Sequence, residues 1–312
     1  MCKLKVLPLW SWCLTVVVFT APAWSDQFDW RAYPGNASHP AGDYITPVRD
    51  QGSVGTCWAF AAAAAVEANY DITYNILNSS LDLSEQNLVC AGTVNGMGDI
   101  NGGYEDDALR YVMHTGITTE DVLPYNQTNS SPNWPLSAPY TLYKITSMKW
   151  AYSLSADPTS VKNYLQTYGP VEAAINAESD FFSPANPPVY GSDLSASGSN
   201  AMPRGLSLSS PISGPRGASL DHAVLITGYT DDPTVAGGGY WHVKNSWDST
   251  WGPTGDGYGY ISYATMQIDD YLTAIDGTSY TVDVPEPASL SLLVLGTLAL
   301  LRRRSKNVGR GA

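Results

Sequence analysis

Positive charge is scarce over most of this chain. There are 16 Lys and Arg against 29 Asp and Glu. Seven of the sixteen (Lys3, Lys5, Arg302, Arg303, Arg304, Lys306 and Arg310) sit at the two ends. The body between them is strongly acidic and repels phosphate backbones, which excludes nucleic acid as a partner. Cysteine is also rare. Of four in total, Cys2 and Cys13 lie in the first 25 residues, so only Cys57 and Cys90 remain. One bond at most is available to them, and this is no disulfide scaffold. Histidine occurs four times, at His39, His114, His222 and His242. No Cys/His cluster has zinc-ligand spacing. Asp99-Ile100-Asn101-Gly102 opens like a calcium loop, but Gly103 holds its fifth position and no closing Glu follows. No metal or cofactor is implied. What is present is apolar and aromatic: 44% hydrophobic residues, with 10 Trp and 20 Tyr among 312 residues. That is enough to bury a sizeable core, in one domain or in two closely packed lobes.

The two ends read as addresses. Residues 1–25 run from a basic start through an apolar stretch to Ala-Pro-Ala-Trp-Ser, the pattern of a secretory signal peptide. Ala23 and Ser25 sit at minus three and minus one of a cut before Asp26. Residues 284–312 contain Pro285-Glu286-Pro287, then the apolar run Ala288 to Leu301, then three arginines. That run of 14 residues is short of the roughly 20 needed for a span, and the arginines behind it would stay in the cytoplasm with the body outside. This tail resembles the PEP-CTERM sorting signal of Gram-negative bacteria. The resemblance implies removal by an exosortase, transient inner-membrane anchoring, and a mature protein at the cell surface or in the extracellular matrix. Membrane contact is expected only through these terminal segments.

Residues 26–283 form the folding body. From Cys57, the string CWAFAAAAAVEANYDITYNI has neither Gly nor Pro and carries five consecutive alanines, the strongest helix signal in the chain. A second helix starts around Leu83 with Ser84 as N-cap, and a third covers Asp106 to His114. After about Tyr140 the pattern turns to short strands, with candidates at 171–175, 223–226 and 240–243. Phe182 to Ser219 is rich in Ser, Gly and Pro and reads as a long surface insertion. Helices first and strands afterwards predict an α+β fold with two lobes.

The segment Gln51-Gly52-Ser53-Val54-Gly55-Thr56-Cys57 makes a glycine turn that ends on a thiol at a helix N-terminus. The helix dipole and its unpaired N–H groups favour a thiolate there, and the same groups can hold an oxyanion. Gln51 can bring a side-chain N–H to the same place. A thiol nucleophile needs a base, and His222 opens the apolar strand Ala223-Val224-Leu225-Ile226. The base needs an orienter. Asn245, in Lys244-Asn245-Ser246-Trp247, can accept the other ring N–H while Trp247 shields the bond. His242 lies mid-strand, and His39 and His114 have no companions, so these three read as structural.

QGSVGTCWAF, LDHAV and KNSW, in that order, resemble the papain-like cysteine peptidases, and LSEQNLVC, NGGY and GYGYISY extend the match over about Phe28 to Tyr263. The resemblance implies a helical left lobe, a β-barrel-like right lobe and an active-site cleft between them. It implies Cys57 as nucleophile, His222 as base and then acid, Asn245 as orienter and Gln51 as oxyanion donor, acting on a protein or peptide substrate. Gly102 and Gly103 would hydrogen-bond an extended peptide. Tyr104, Glu105, Leu220, Asp221 and Trp247 complete the implied substrate-binding set. His222 and Asn245 lie 165 and 188 residues after Cys57, beyond the family's ~130–150. The Phe182–Ser219 insertion and the Asp231–Gly239 loop account for the excess.

Several departures from the pattern carry expectations of their own. Val54 and Ile100 stand where the family usually has a cysteine pair, so an apolar contact is expected there. Cys90 lacks a partner and is expected to be a free buried thiol. Phe28-Asp29-Trp30 follows the leader almost at once, so no inhibitory propeptide is expected, and latency would come from a partner or from compartment. Glu105 replaces the Pro or Met common in the wall of the main specificity pocket. It either favours a basic side chain two residues before the cut or is a solvated member of the run Glu105-Asp106-Asp107. Two other functions use the same residues: a catalytically silent binding or matrix protein, whose cleft the insertion would block, and a thiol acyl transferase.

Overall fold

The computed structural model describes residues 26–150, 158–175, 177, 220–263 and 272–285. The leader, the Phe182–Ser219 insertion and the tail beyond Pro285 lie outside the described residues. In chain order the elements are β1 (Gln27–Asp29), α1 (Cys57–Tyr74), α2 (Glu85–Asn95), β2 (Gly98–Asp99), β3 (Gly102–Gly103), α3 (Glu105–His114), β4 (Tyr140–Ile145), β5 (Lys149–Trp150), α4 (Pro158–Tyr168), β6 (Val171–Ile175), β7 (His222–Asp231), β8 (Gly239–Lys244), β9 (Tyr258–Ser262), β10 (Leu272–Ala274) and β11 (Ser279–Val284).

The alanine run becomes the axis of the fold. Alanine orders without side-chain entropy loss, so the run propagates as helix. α1 stops where Asn75 turns left-handed at φ 57° and its N–H caps the Asp71 and Ile72 carbonyls. α2 begins as its cap predicts, the Ser84 hydroxyl accepting the Asn87 N–H at 3.0 Å. α3 carries three acids in its first turn and His114 in its last, both in the sense the helix dipole favours. These helices bury Trp58, Ala62, Val66, Leu88, Leu109 and Val112 in one left-lobe core.

The right lobe is an antiparallel sheet in the order β5-β10-β6-β7-β8-β9, with β1 added against β7. Among the described residues the ladder does not close into a barrel. Strand alternation assigns its two faces. Val171, Ala173, Val224 and Ile226 face a core with Val161 and Leu165 of α4. Ala174 pairs with Ala223 and Glu172 with Leu225 on the opposite face. On that face Leu225 joins the left-lobe core and Ala223 packs on Cys57. The sheet thus lies directly on α1, and the small side chains of both partners permit the close approach.

Two elements differ from expectation. α4 falls inside the part read as strands. Pro158 sits at its first position, where a missing N–H costs nothing, and Val161 and Leu165 at i and i+4 bury one face. β7 runs well beyond Ile226, through a bulge between Ile226 and Gly228. Gly228 is required there, because a Cβ would lie 2.2 Å from the Phe28 carbonyl of β1.

Buried carboxyls set the response to pH. Burial pushes Glu105 up to about 7 and raises Glu85 and Glu172 well above their ordinary 4.5. Each binds its proton more tightly folded than unfolded, so each contribution is full below about 4.5 and is lost as pH rises towards 7 and beyond. His222, pushed down by burial to about 4, works in the opposite sense between about 4 and 6.5. The three carboxyls outweigh it. The melting temperature is expected to be higher at pH 5 than at pH 8, measured by thermal unfolding of residues 26–285; a flat or rising profile contradicts the assignment.

Candidate active site

Four chain segments converge where α1 starts and β7 starts. Thr56 is the N-cap of α1, so Cys57 is its first residue and the first N–H groups of the helix have no partner within it. Cys57 is buried, and Ala223, the residue after His222, packs against it. The thiol of α1 and the first residues of β7 therefore meet across the seam between the lobes.

His222 Nε2 lies 2.7 Å from Asn245 Oδ1. The Ser246 N–H donates to the same oxygen at 2.8 Å, which identifies it as the acceptor, so Nε2 carries the ring proton and Nδ1 the lone pair. Trp247 stacks on the imidazole with centroids 4.4 Å apart and planes 28° from parallel. The Asn245 N–H is itself held by the Gly257 carbonyl at 3.1 Å. The acceptor that orients the ring is thus itself anchored by backbone.

Burial pushes the Cys57 thiol up to about 12, against backbone hydrogen bonding from Ala223 and Trp58. Burial pushes His222 down to about 4, against its bond to Asn245. In each case burial disfavours the charged form, the opposite sense to the helix N-terminus at Cys57. Transfer of the thiol proton to the imidazole therefore runs uphill while both stay this dry.

Gln51 is buried beside the same seam. Its Nε2 donates to the Val54 carbonyl at 2.8 Å, and its Oε1 accepts from the Ser246 hydroxyl at 2.5 Å. The Gln51 N–H donates to the Ser246 carbonyl at 2.8 Å. The segment before α1 is thus stitched to the segment that carries Asn245. The sequence motifs contained Ser246 but gave it no role; its hydroxyl fixes which way the Gln51 amide faces. Tyr125, 68 residues beyond Cys57, was also missed. Its hydroxyl donates to the Gln51 carbonyl at 2.9 Å and meets the Thr56 hydroxyl at 2.6 Å. A lone Tyr in a polar loop has no sequence signature for this.

Gly103 lies flat on Trp58, where a Cβ would meet the indole at 2.6 Å, while a Cβ on Gly102 would meet nothing within 4 Å. Gly102, at φ 147°, therefore offers open backbone beside the site. Tyr104 follows, partly exposed. Glu105 is buried, 4% exposed, which overturns its reading as a solvated member of the acidic run. Asp221 is pinned, its carboxylate accepting the Ala177 N–H at 2.7 Å and its own N–H donating to the Ile175 carbonyl at 3.0 Å. Leu220 is buried beside it.

The remaining candidates stand apart. His242 bridges Asp29 and Thr230, at 2.8 Å each. Burial opposes the charge on Asp29, but His242 and Arg31 outweigh it and hold that carboxyl at about 2. His39 contacts Asn75 at 2.8 Å on the surface. Cys57 and Cys90 are both free and buried, Cys90 with Gln86 Nε2 at 3.4 Å. At the departure from the cysteine pair, the Gly55 N–H donates to the Ile100 carbonyl at 2.7 Å, so backbone joins the two segments.

Tyr125→Phe removes the donor to the Gln51 carbonyl and the partner of Thr56 in a partly buried network. We expect it to destabilise the chain by about 1–2 kcal/mol in urea unfolding; a variant as stable as the parent contradicts this wiring.

Comparison with known proteins gives the family of the chain. A profile described as "Papain family cysteine protease" matches residues 24–202 and 204–274, and one described as "PEP-CTERM protein-sorting motif" matches residues 283–305. Cathepsin L of Sarcophaga peregrina is 33% identical over 240 residues, covering 77% of this chain and 58% of its own. Procathepsin L of Felis catus is 30% identical over 247 residues, covering 77% and 62%. The chain thus spans about three fifths of the length of these curated relatives. A structure solved for the mite allergens Blo t 1 and Der p 1 superposes with a TM-score of 0.57 at 27% identity, covering 83% of this chain and 73% of that one. Bromelain from Ananas comosus gives 0.54 at 25% identity, covering 81% and 98%. The family profile spans most of the chain, and relatives at 30% identity or more cover over two thirds of it: the chain belongs to the papain family of cysteine proteases.

Proposed function

We propose that this chain is an exported peptidase that hydrolyses peptide bonds through a thioester on Cys57. The observation that carries the reading is the His222 Nε2 to Asn245 Oδ1 bond of 2.7 Å beneath Trp247, with the adjoining Ala223 packed together with Cys57. That bond leaves Nδ1 as the proton acceptor.

In the first half-reaction the Cys57 sulfur attacks the scissile carbonyl carbon as His222 Nδ1 takes the thiol proton. The resulting oxyanion is held by N–H groups at the start of α1 and by the Gln51 amide. Collapse breaks the C–N bond, the imidazolium gives its proton to the leaving amine, and the acyl group stays on sulfur. Water then attacks the thioester, His222 takes its proton, and release of the acid restores the thiol. Gly102 and Gly103 bind the peptide backbone, with Tyr104, Leu220, Asp221 and Trp247 along the walls.

The sorting motif at 283–305 supports export in a Gram-negative bacterium. On this reading residues 1–25 are removed on secretion, an exosortase cuts at Pro285-Glu286-Pro287, and residues 26–283 reach the cell surface or matrix. Among the described residues no helix is long and apolar enough to cross a membrane.

Cleavage of fluorogenic peptides by residues 26–285 tests the chemistry. Cys57→Ala should abolish turnover and labelling by an epoxysuccinyl probe. His222→Ala should lower kcat by roughly 10²–10⁴, and Gln51→Ala by roughly 10²–10³ with little change in KM. Turnover that survives Cys57→Ala, or wild type that neither cleaves nor labels, sinks the proposal. Because burial pushes His222 down to about 4, kcat/KM should rise as pH climbs through that range and the imidazole loses its proton.

A further inference from the structure

His242 has no companion in the sequence, yet both of its ring nitrogens have a partner in the fold. Nδ1 lies 2.8 Å from Asp29 Oδ2, and Nε2 lies 2.8 Å from the Thr230 hydroxyl. The three residues come from β1, β7 and β8, and strand register brings them together. Asp29 pairs with Gly228, and Gly228 pairs with His242. Gly228 has no side chain, so the Asp29 carboxyl and the His242 ring meet across it. A Cβ there would lie 2.9 Å from the Asp29 Cβ. Thr230 is the next residue of β7 on the same face. The bulge between Ile226 and Gly228 decides which face that is. It shifts the alternation by one, so that Ile226 and Tyr229 both enter the right-lobe core while Gly228 and Thr230 turn away from it.

The protons along this line follow from its partners. Burial works against a charge on Asp29, but the bond to His242 and the Arg31 guanidinium outweigh it and hold the carboxyl at about 2. Arg31 Nε donates to the same Oδ2 at 2.9 Å, and the Arg31 N–H donates to Oδ1 at 2.9 Å. An ionised carboxylate only accepts, so Nδ1 carries the ring proton. In the neutral imidazole the lone pair is then on Nε2, and the Thr230 hydroxyl donates to it. Tyr240 stacks on the ring at 5.7 Å and Tyr260 meets it edge-on at 5.3 Å, so aromatic contacts hold its plane. Asp29, Thr230 and His242 are each only partly buried. Thr230 lies eight residues along β7 from His222, roughly 25 Å away, so this group is separate from the Cys57 site.

We propose that Thr230, His242 and Asp29 form a second reactive site, in which the Thr230 hydroxyl attacks carboxylic esters without any part for Cys57. Hydroxyl, imidazole and carboxylate in this order are the arrangement that makes an alcohol nucleophilic. The ring takes the hydroxyl proton, and the carboxylate orients the ring and stabilises the imidazolium that forms. Both hydrogen bonds already have the length such a transfer needs. Thr230 Oγ1 bonds to the ester carbonyl carbon as its proton passes to Nε2. The bond from that carbon to the alcohol oxygen breaks, and the alcohol leaves with the proton from Nε2. The acyl group stays on Thr230. Water then attacks it, Nε2 takes a proton from the water, and that proton returns to Oγ1 as the acid leaves. Tyr240 and Tyr260 give the site an aromatic flank, which suits aryl esters.

The test uses the chain carrying Cys57→Ala, so that the first nucleophile is silent, and p-nitrophenyl acetate as the ester. Release of p-nitrophenolate gives the rate, and peptide mapping by mass spectrometry gives the acetylated residue. We expect acetylation of Thr230, lost in Thr230→Val and slowed by roughly 10² in both His242→Gln and Asp29→Asn. Acetylation of lysines in the same digests is the internal reference. A merely structural role for His242 and Asp29 would leave the ratio of Thr230 to lysine labelling unmoved. The first measurement needs no variant of the three: a folded Cys57→Ala chain with no acetyl group on Thr230 overturns the proposal. Labelling of Thr230 that keeps its full ratio to lysine in either His242→Gln or Asp29→Asn overturns it as well.

Discussion

The contact of α1 with the inner face of β7 governs this structure. It is made by alanines: Ala61 and Ala223 around Cys57, with the rest of the Ala61–Ala65 run behind them. A larger side chain on either partner would hold the helix and the sheet apart, since packed interiors absorb little added volume. The start of α1 carries the thiol and the start of β7 carries the imidazole. One close-packed seam therefore brings both to the same point.

The seam is also polar, and its polar part sits behind the site. Buried Lys244 at the end of β8 donates to the Thr46 hydroxyl at 2.9 Å. Thr46 donates to Glu67 of α1 at 2.5 Å, and Glu67 also accepts the Leu83 N–H at 2.8 Å. Glu67 and Lys244, with Arg49 and Glu85, line a cavity of about 20 Å³ beside Asn245, room for about one water. This relay runs from the left-lobe helix to the strand whose next residue is Asn245, so one connected network fixes both the distance between the lobes and the orienter's position. The bridge from Gln51 to Ser246 is a second tie across the same boundary. Burial behind such ties is the main reason the charged forms of Cys57 and His222 are disfavoured: the groups that hold the site also keep water from it.

Much of the site was legible because its chemistry is local in sequence. A glycine turn ending on a thiol, a histidine opening an apolar strand and an Asn-Ser-Trp run closing another each announce a role within a few residues. The alanine helix and the Ser84 cap were legible for the same reason, since propensity and capping act over a single turn. Helix α4 was less visible: its buried pair, Val161 and Leu165, is only two residues in a polar stretch, and Pro158 reads as a breaker unless its place at the first turn is known. Tyr125 and Ser246 were invisible as actors. Each works through a partner between 69 and 195 residues away, and nothing in its own neighbourhood encodes that partner.

The sequence by itself determined the order of the parts, their residue types and the local geometry at each, because these depend on propensity, periodicity and turn chemistry within short windows. Only the tertiary structure decided how strongly burial disfavours the charged forms of Cys57 and His222, and that Glu105 is buried rather than solvated. Those quantities depend on how completely water is excluded and on which distant groups share the enclosed space. That is settled when the two lobes close on one another.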